Sequence, residues 1–200
     1  MSAPYEEIVQ DLNAQSFHKV TLHCSQTEIE TAVKAFFRFM DLPEETRKRF
    51  SFNLGENAGD MEVGYWTRSR AEGKADNRSY FQYCVIGDET FRQTGADCPE
   101  LIAFLDAAKI VYDHVLPTMR DIIHTIDAAH PGIEEKIFDP GTGRVLRIPL
   151  RFLGYPTTDP GDFLATGHYD KGAATLAIAE SAPGLRIGKT PDTVREVIHE

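Results

Sequence analysis

The sequence predicts an α+β fold in which an N-terminal helical region packs on a partial jelly roll. Before residue 140 apolar residues recur mostly at helical spacing, whereas after it they form short or alternating runs between Pro, Gly and Asp turns. Short strands at such spacing are typical of an antiparallel sandwich or jelly roll, and helices that precede them pack on one sheet. We therefore expect an N-terminal region of helices and an irregular loop, a long helical connector, and an incomplete first part of a jelly-roll core, at residues 1–98, 99–140 and 141–200.

The first well-marked helix follows residue 25. Ser25 and Glu28 have the spacing of a capping box, and Pro43 ends the apolar pattern. We expect a helix between these signals. Its predicted buried face carries five large apolar residues, Ile29, Val33, Phe36, Phe37 and Met40.

The connector has a start signal of its own. Asp97 can cap a helix, Pro99 suits the first turn, and Glu100 is favourable near the helix start. An apolar stripe continues at helical spacing over residues 101–126. One long helix is therefore predicted, and Pro117 is expected to kink it or divide it.

Strands are expected in the remaining segments. Residues 17–22 fit one strand, and residues 51–96 fit a long irregular stretch with one or two short strands. Beyond residue 140 five strands are predicted, at residues 145–155, 163–169, 173–179, 185–187 and 194–198.

Composition narrows the range of partners and compartments. The formal net charge is −10 and the pI is about 5.2, which argues against nucleic acid as a partner. The three cysteines, Cys24, Cys84 and Cys98, show neither a disulfide framework nor the spacing of a zinc site, which favours a reducing compartment. No segment has the pattern of a signal peptide or of a membrane span. We expect a cytoplasmic protein that acts on a small molecule, and the sequence does not predict its oligomeric state.

His168 and Asp170 are the most informative pair in the sequence. They lie two residues apart in a segment predicted to be a strand, so their side chains point the same way and can bind one metal ion. Two histidines and one carboxylate on one face of Fe(II) form the facial triad of non-heme oxygenases. A surface His–Asp pair is the alternative interpretation, and the neighbouring residues decide between the two.

Those neighbouring residues follow a distinctive order. It consists of Tyr-Pro at 155–156, a turn at 159–162, Gly-His-Tyr-Asp-Lys-Gly at 167–172, Thr-Leu at 175–176 and Gly-Leu-Arg-Ile at 184–187. This order resembles the iron(II)- and 2-oxoglutarate-dependent oxygenases of the isopenicillin-N-synthase-like branch. The resemblance is most specific over residues 145–188 and looser over residues 30–83.

The resemblance implies an oxidoreductase of the dioxygenase type with a double-stranded β-helix core. His168 and Asp170 would be iron ligands, and Tyr155 and Arg151 would bind 2-oxoglutarate, with O2 as the second co-substrate. No catalytic residue beyond the metal ligands is implied. The family's asparagine two residues before the tyrosine is Leu153 here. Hydroxylation, desaturation and ring closure are all compatible with these residues.

Two parts of the family pattern are not found in the sequence. The distal histidine ligand should follow Asp170 by about 40 residues or more, because several strands and turns come first. His199 comes too early by this argument, and the arginine that pairs with 2-oxoglutarate is also missing. We therefore expect a C-terminally truncated oxygenase with little or no activity as this 200-residue chain.

Other interpretations of the sequence stay open. The main alternative is a non-catalytic ligand-binding or scaffolding relative of the same fold, and a cupin-type jelly roll with another metal is a weaker one. An anionic substrate can bind to Arg68, Arg70 and Arg78, although arginines in exposed loops need have no binding role.

Overall fold

The computed structural model of the protein describes residues 3–54, 61–68, 77–138, 148–155, 164–165, 167–168 and 174–198. Its helices are α1 (Ala3–Gln15), α2 (Gln26–Met40), α3 (Glu44–Lys48), α4 (Val85–Thr94), α5 (Pro99–Ala129) and α6 (Glu134–Ile137). Its strands are β1 (Ser51–Asn53), β2 (Glu62–Arg68), β3 (Arg78–Tyr83), β4 (Leu150–Gly154), β5 (Arg186–Ile187) and β6 (Arg195–Glu196). None of the helices in the described part of the chain combines the length and apolar character needed to cross a membrane.

The main sheet has four antiparallel strands in the order β1-β2-β3-β4. The first three strands follow one another in sequence, whereas β4 joins β3 only after three helices. Gln82 of β3 lies opposite Arg151 of β4. A separate antiparallel pair is formed by β5 and β6.

The chain divides into two compact units. The first comprises Met1–His23, Val115–Glu134 and Gly167–Glu200, and the second comprises Cys24–His114 and Glu135–Thr166. The four-stranded sheet lies in the second unit together with α2, α3 and α4, whereas α1 and the β5–β6 pair lie in the first. Helix α5 contributes residues to both.

Phe104 lies at the centre of the core of the second unit. Its side chain is fully buried, and its ring centroid lies 4.9 Å from that of Phe81 and 5.0 Å from that of Phe152. The rings of Phe36 and Phe39 lie 5.7 and 6.0 Å away. These rings come from α5, β3, β4 and α2, so one aromatic cluster holds both helices against one face of the sheet.

The structure confirms the predicted start of helix α2 but only part of its predicted buried face. Ser25 and Glu28 form both hydrogen bonds of a capping box. The buried residues are Ala32, Ala35, Phe36 and Phe39, and Phe37 is 50% exposed. Phe37 and Phe39 are two residues apart, which is about 200° around a helix, so the two rings cannot both face the core. The prediction that Phe37 is buried was therefore wrong.

Helix α5 begins at Pro99, one residue later than a cap at Asp97 predicts, and continues through Pro117 as one helix. The carboxylate of Asp97 pairs with Arg49 at 2.9 Å. Of the two predicted effects of Pro117, division of the helix is wrong, and a kink stays a prediction. Val115 and Ile123 are buried on either side of the proline. Burial of this apolar face offsets the hydrogen bond that the proline cannot donate.

Several strand predictions were wrong because apolar alternation does not by itself provide a pairing partner. Residues 17–22 form no strand, although Phe17, Val20 and Leu22 are half buried. Residues 174–178 alternate between half-buried and exposed side chains but also lack strand pairing. Conversely, residues 51–96 contain three strands and α4, which is more regular structure than expected.

The later strands agree with the prediction only in part. Strands β4, β5 and β6 fall within the predicted segments 145–155, 185–187 and 194–198, but each is shorter. Four residues of the predicted strand at 163–169 are described, at positions 164, 165, 167 and 168, and none of them is in a strand, so the prediction is wrong for these residues. The fold is thus mixed helix and antiparallel sheet, as the α+β prediction states, while the described strands do not form a jelly roll.

Replacing Phe104 with alanine should lower the free energy of unfolding by about 3–5 kcal/mol, because it removes a ring from a fully packed site. Ile110→Ala in the same helix is the matched control. Ile110 is 47% exposed, so its truncation should change the free energy by less than about 1 kcal/mol. Urea unfolding followed by circular dichroism measures both values. Equal losses would contradict a central role for the aromatic cluster.

Candidate functional site

An open cavity of about 380 Å³ lies at one end of the four-stranded sheet. Its walls come from the last turn of α2, the end of β2, the start of β3 and the end of β4. The lining residues are Phe37, Met40, Thr67, Arg68, Asn77, Arg78, Ser79, Gly154 and Tyr155. The volume falls within the range of small-molecule binding sites.

The strand register explains why these residues meet. Arg68 of β2 lies opposite Arg78 of β3, and Ser79 lies opposite Gly154 of β4. Because neighbouring strands are antiparallel, the ends of β2 and β4 and the start of β3 lie at the same end of the sheet. Tyr155 directly follows β4 and therefore lies at the same end of the sheet.

Two of the described residues that line the cavity are arginines, Arg68 and Arg78. Like charges that lie directly opposite each other in a sheet repel, and Arg68 and Arg78 are such a pair. Among the described residues that line the cavity none is acidic, and Thr67, Ser79 and Tyr155 add hydroxyl groups. Guanidinium and hydroxyl groups are both able to donate hydrogen bonds to a carboxylate.

Arg151, a predicted co-substrate residue, has structural partners in the sheet. Its Nε donates to the Oε1 atom of buried Gln82 at 2.9 Å, and its Nη2 also donates to Oε1. Its guanidinium carbon lies 5.4 Å from the centre of the Tyr80 ring. Arg151 is not among the described residues that line the cavity. Its role in co-substrate binding stays a prediction.

The predicted iron ligands are described only in part. His168 is exposed and lies outside any strand, and Asp170 and His199 lie outside the described residues. His168 belongs to the first compact unit, whereas Tyr155 belongs to the second. In the part of the chain that the structure describes, His168 joins no group of three metal-binding side chains. The structure therefore supplies one imidazole for the predicted site, and the site itself stays a prediction.

A different group of metal-binding side chains lies within the second unit. Cys24, Glu28 and His114 each offer one ligand atom, and these three atoms lie within 4.8 Å of one another. Sequence reasoning missed this group because His114 is far from the other two in the chain. The only local signal was Glu28, which was assigned to the capping box alone.

No family model matches the chain, and no curated protein or solved structure matches it either.

Arg151→Met should lower the free energy of unfolding by about 1–2 kcal/mol, because it leaves a buried amide oxygen of Gln82 without its charged donor. Methionine keeps most of the apolar stem of arginine, so the change mainly removes the hydrogen bonds. Arg186→Met, at an exposed position of β5, is the control and should be nearly neutral. Thermal unfolding of the three proteins measures the difference. An unchanged Arg151→Met protein would contradict a structural role for this hydrogen bond.

Proposed function

We propose that this chain belongs to a non-heme Fe(II)- and 2-oxoglutarate-dependent oxygenase that acts on a small molecule, and that the cavity beside Tyr155 binds the 2-oxoacid. One observation carries the proposal. Tyr155, which the resemblance assigns to the co-substrate, lines a cavity that also contains Arg68 and Arg78.

The chemistry of this cavity suits a dicarboxylate. An arginine can bind a carboxylate through two parallel hydrogen bonds, and such charge-assisted bonds are stronger than neutral ones. The exposed ring of Phe37 and the thioether of Met40 provide an apolar wall for a short carbon chain. One carboxylate of 2-oxoglutarate would bind at Arg68 and Arg78, with the hydroxyl of Tyr155 as a further donor.

The metal part of the proposal rests on the sequence motif. His168 and Asp170 would hold Fe(II) through a neutral imidazole and a carboxylate, and they would leave positions for the 2-oxoacid and O2. The bound metal and its co-substrates would supply the oxidation of an unactivated C–H bond. The task of the protein residues is to position that bond and to exclude water. In this proposal residues 141–200 contribute the first part of a double-stranded β-helix, and the protein works in the cytoplasm.

A second candidate is a ligand-binding relative without catalysis. The cavity is the observation that favours it, because none of the described residues that line the cavity is a histidine, cysteine or carboxylate. Such a cavity can bind an anion without any metal. The two candidates differ in whether ligand binding depends on His168 and whether succinate is formed.

Tyr155→Phe should weaken 2-oxoglutarate binding about 10- to 100-fold, because it removes one hydrogen bond to a charged group. Isothermal titration calorimetry with 2-oxoglutarate measures the affinity. Tyr80→Phe is the matched control. The Tyr80 hydroxyl already donates to Glu62, and Tyr80 does not line the cavity in the described part of the chain. Equal affinities in the two variants would reject the assignment of Tyr155.

The natural protein that carries this sequence should form succinate from 2-oxoglutarate only when Fe(II) is present. His168→Ala and Asp170→Ala should each abolish iron binding and turnover, because each removes a metal ligand. His124→Ala is the control, since His124 is an exposed residue paired with Glu134 at 3.1 Å. Unchanged iron affinity in Asp170→Ala would defeat the metal assignment. Binding of 2-oxoglutarate without succinate, unaffected by His168→Ala, would establish the non-catalytic candidate instead.

A further inference from the structure

We propose that Cys24, Glu28 and His114 form a binding site for a thiophilic divalent cation, with Zn²⁺ as the best match. A thiol sulfur, a carboxylate oxygen and an imidazole nitrogen lie within 4.8 Å of one another. None of these residues belongs to the proposed iron site or lines the cavity in the described part of the chain. The inference therefore does not depend on the proposed function.

The packing of α2 against α5 builds this group. Phe36 contacts Phe104, while Glu28, earlier on α2, contacts His114, later on α5. The helices are therefore antiparallel. The two contacts are eight residues apart on α2 and ten on α5, or about 12 and 15 Å along the helix axes. The aromatic cluster thus sets the register that places His114 beside the start of α2.

The capping box holds the Glu28 carboxylate in place. Its Oε2 atom accepts hydrogen bonds from the backbone N and the Oγ of Ser25, both at 2.8 Å. These bonds, the backbone one first, lower the pKa of Glu28, so the carboxylate is ionised. The other oxygen, Oε1, lies 3.2 Å from Nδ1 of His114. One oxygen is thus used by the cap while the other faces the histidine, which is how a supporting hydrogen bond orients a metal ligand.

Cys24 completes the set of ligands. It directly precedes Ser25 and is partly exposed, whereas Cys84 and Cys98 are buried. Burial, with the nearby negative charge of Glu28, raises the pKa of the Cys24 thiol. A cation that binds here must therefore displace the thiol proton, as metals do at cysteine sites. Thiolate and carboxylate together then balance the two positive charges of the ion.

The ligand types and distances select zinc. Tetrahedral Zn²⁺ bonds to sulfur, nitrogen and oxygen imply ligand-to-ligand distances of about 3.4–3.6 Å. The Glu28–His114 pair is already at 3.2 Å, and the 4.8 Å limit of the group leaves about 1 Å of side-chain movement. Sulfur and imidazole favour Zn²⁺ over Mg²⁺ or Ca²⁺. Three protein ligands leave a fourth position for water. The positive end of α2 opposes a cation, but two anionic ligands outweigh this partial charge.

Titration of the purified protein with Co²⁺, a spectroscopic substitute for Zn²⁺, tests this site. We expect one equivalent to produce a thiolate-to-cobalt charge-transfer absorption, which Zn²⁺ then abolishes by displacement. Cys24→Ser should eliminate the absorption and weaken binding at least about 100-fold, since loss of even a supporting residue costs about 10- to 100-fold. His114→Gln should also weaken binding by at least that factor.

Two controls separate this site from other thiols and from the proposed iron site. Cys98→Ala removes a buried thiol and His168→Ala removes a predicted iron ligand, and both should keep the absorption. Far-UV circular dichroism shows whether each variant folds, and His114→Gln serves as the test if Cys24→Ser does not fold. Absence of the absorption in the unmodified protein, or its persistence in folded Cys24→Ser, would overturn the proposal.

Discussion

The ring of Phe104 and its aromatic neighbours form the contact on which the second compact unit depends. Phe81 and Phe152 are directly opposite each other on β3 and β4, so this contact binds the two strands as well as α2 and α5. Phe36 and Phe39 of α2 also contact Phe152 and Phe81 directly, both at 5.5 Å. Rings packed at about 5 Å contribute beyond their buried area, and a cavity at such a site cannot easily collapse.

Helix α2 carries both candidate sites, one at each end. Its last turn places Phe37 and Met40 in the wall of the cavity at the end of the sheet. Its first turn places Glu28 beside His114. The buried face of the helix consists of Ala32, Ala35, Phe36 and Phe39, and it packs against the core over the second half of the helix. Phe37 is exposed because only one face of the helix packs against the core, and Phe37 lies on another face. The cavity and the group of Cys24, Glu28 and His114 are thus both placed by the packing of one helix.

Local signals in the sequence were reliable where a structure depends on neighbouring residues. The capping box at Ser25 and the start of α5 at Pro99 depend on residues three or four apart, and both were predicted, the second to within one residue. The sheet depends on pairs that are distant in sequence, and the strand expected at 17–22 is not present in the structure. Tyr155 was assigned by its motif, but its grouping with Arg68 required the register of three strands. The group at Cys24 was not predictable, because helix packing and not sequence spacing brings His114 to it.

Strand β4 comes long after its partner β3 in the sequence, and this order has a consequence during synthesis of the chain. The Arg151–Gln82 hydrogen bond joins residues 69 positions apart, so β3 leaves the ribosome well before its partner strand. At about 5–20 residues per second, that interval lasts roughly 3–14 s. During this time β3 has an unpaired edge, and the side of Phe104 that Phe152 later covers stays open to solvent or to another chain. The nascent chain thus exposes, for that interval, a strand edge and an aromatic surface that β4 covers in the finished sheet.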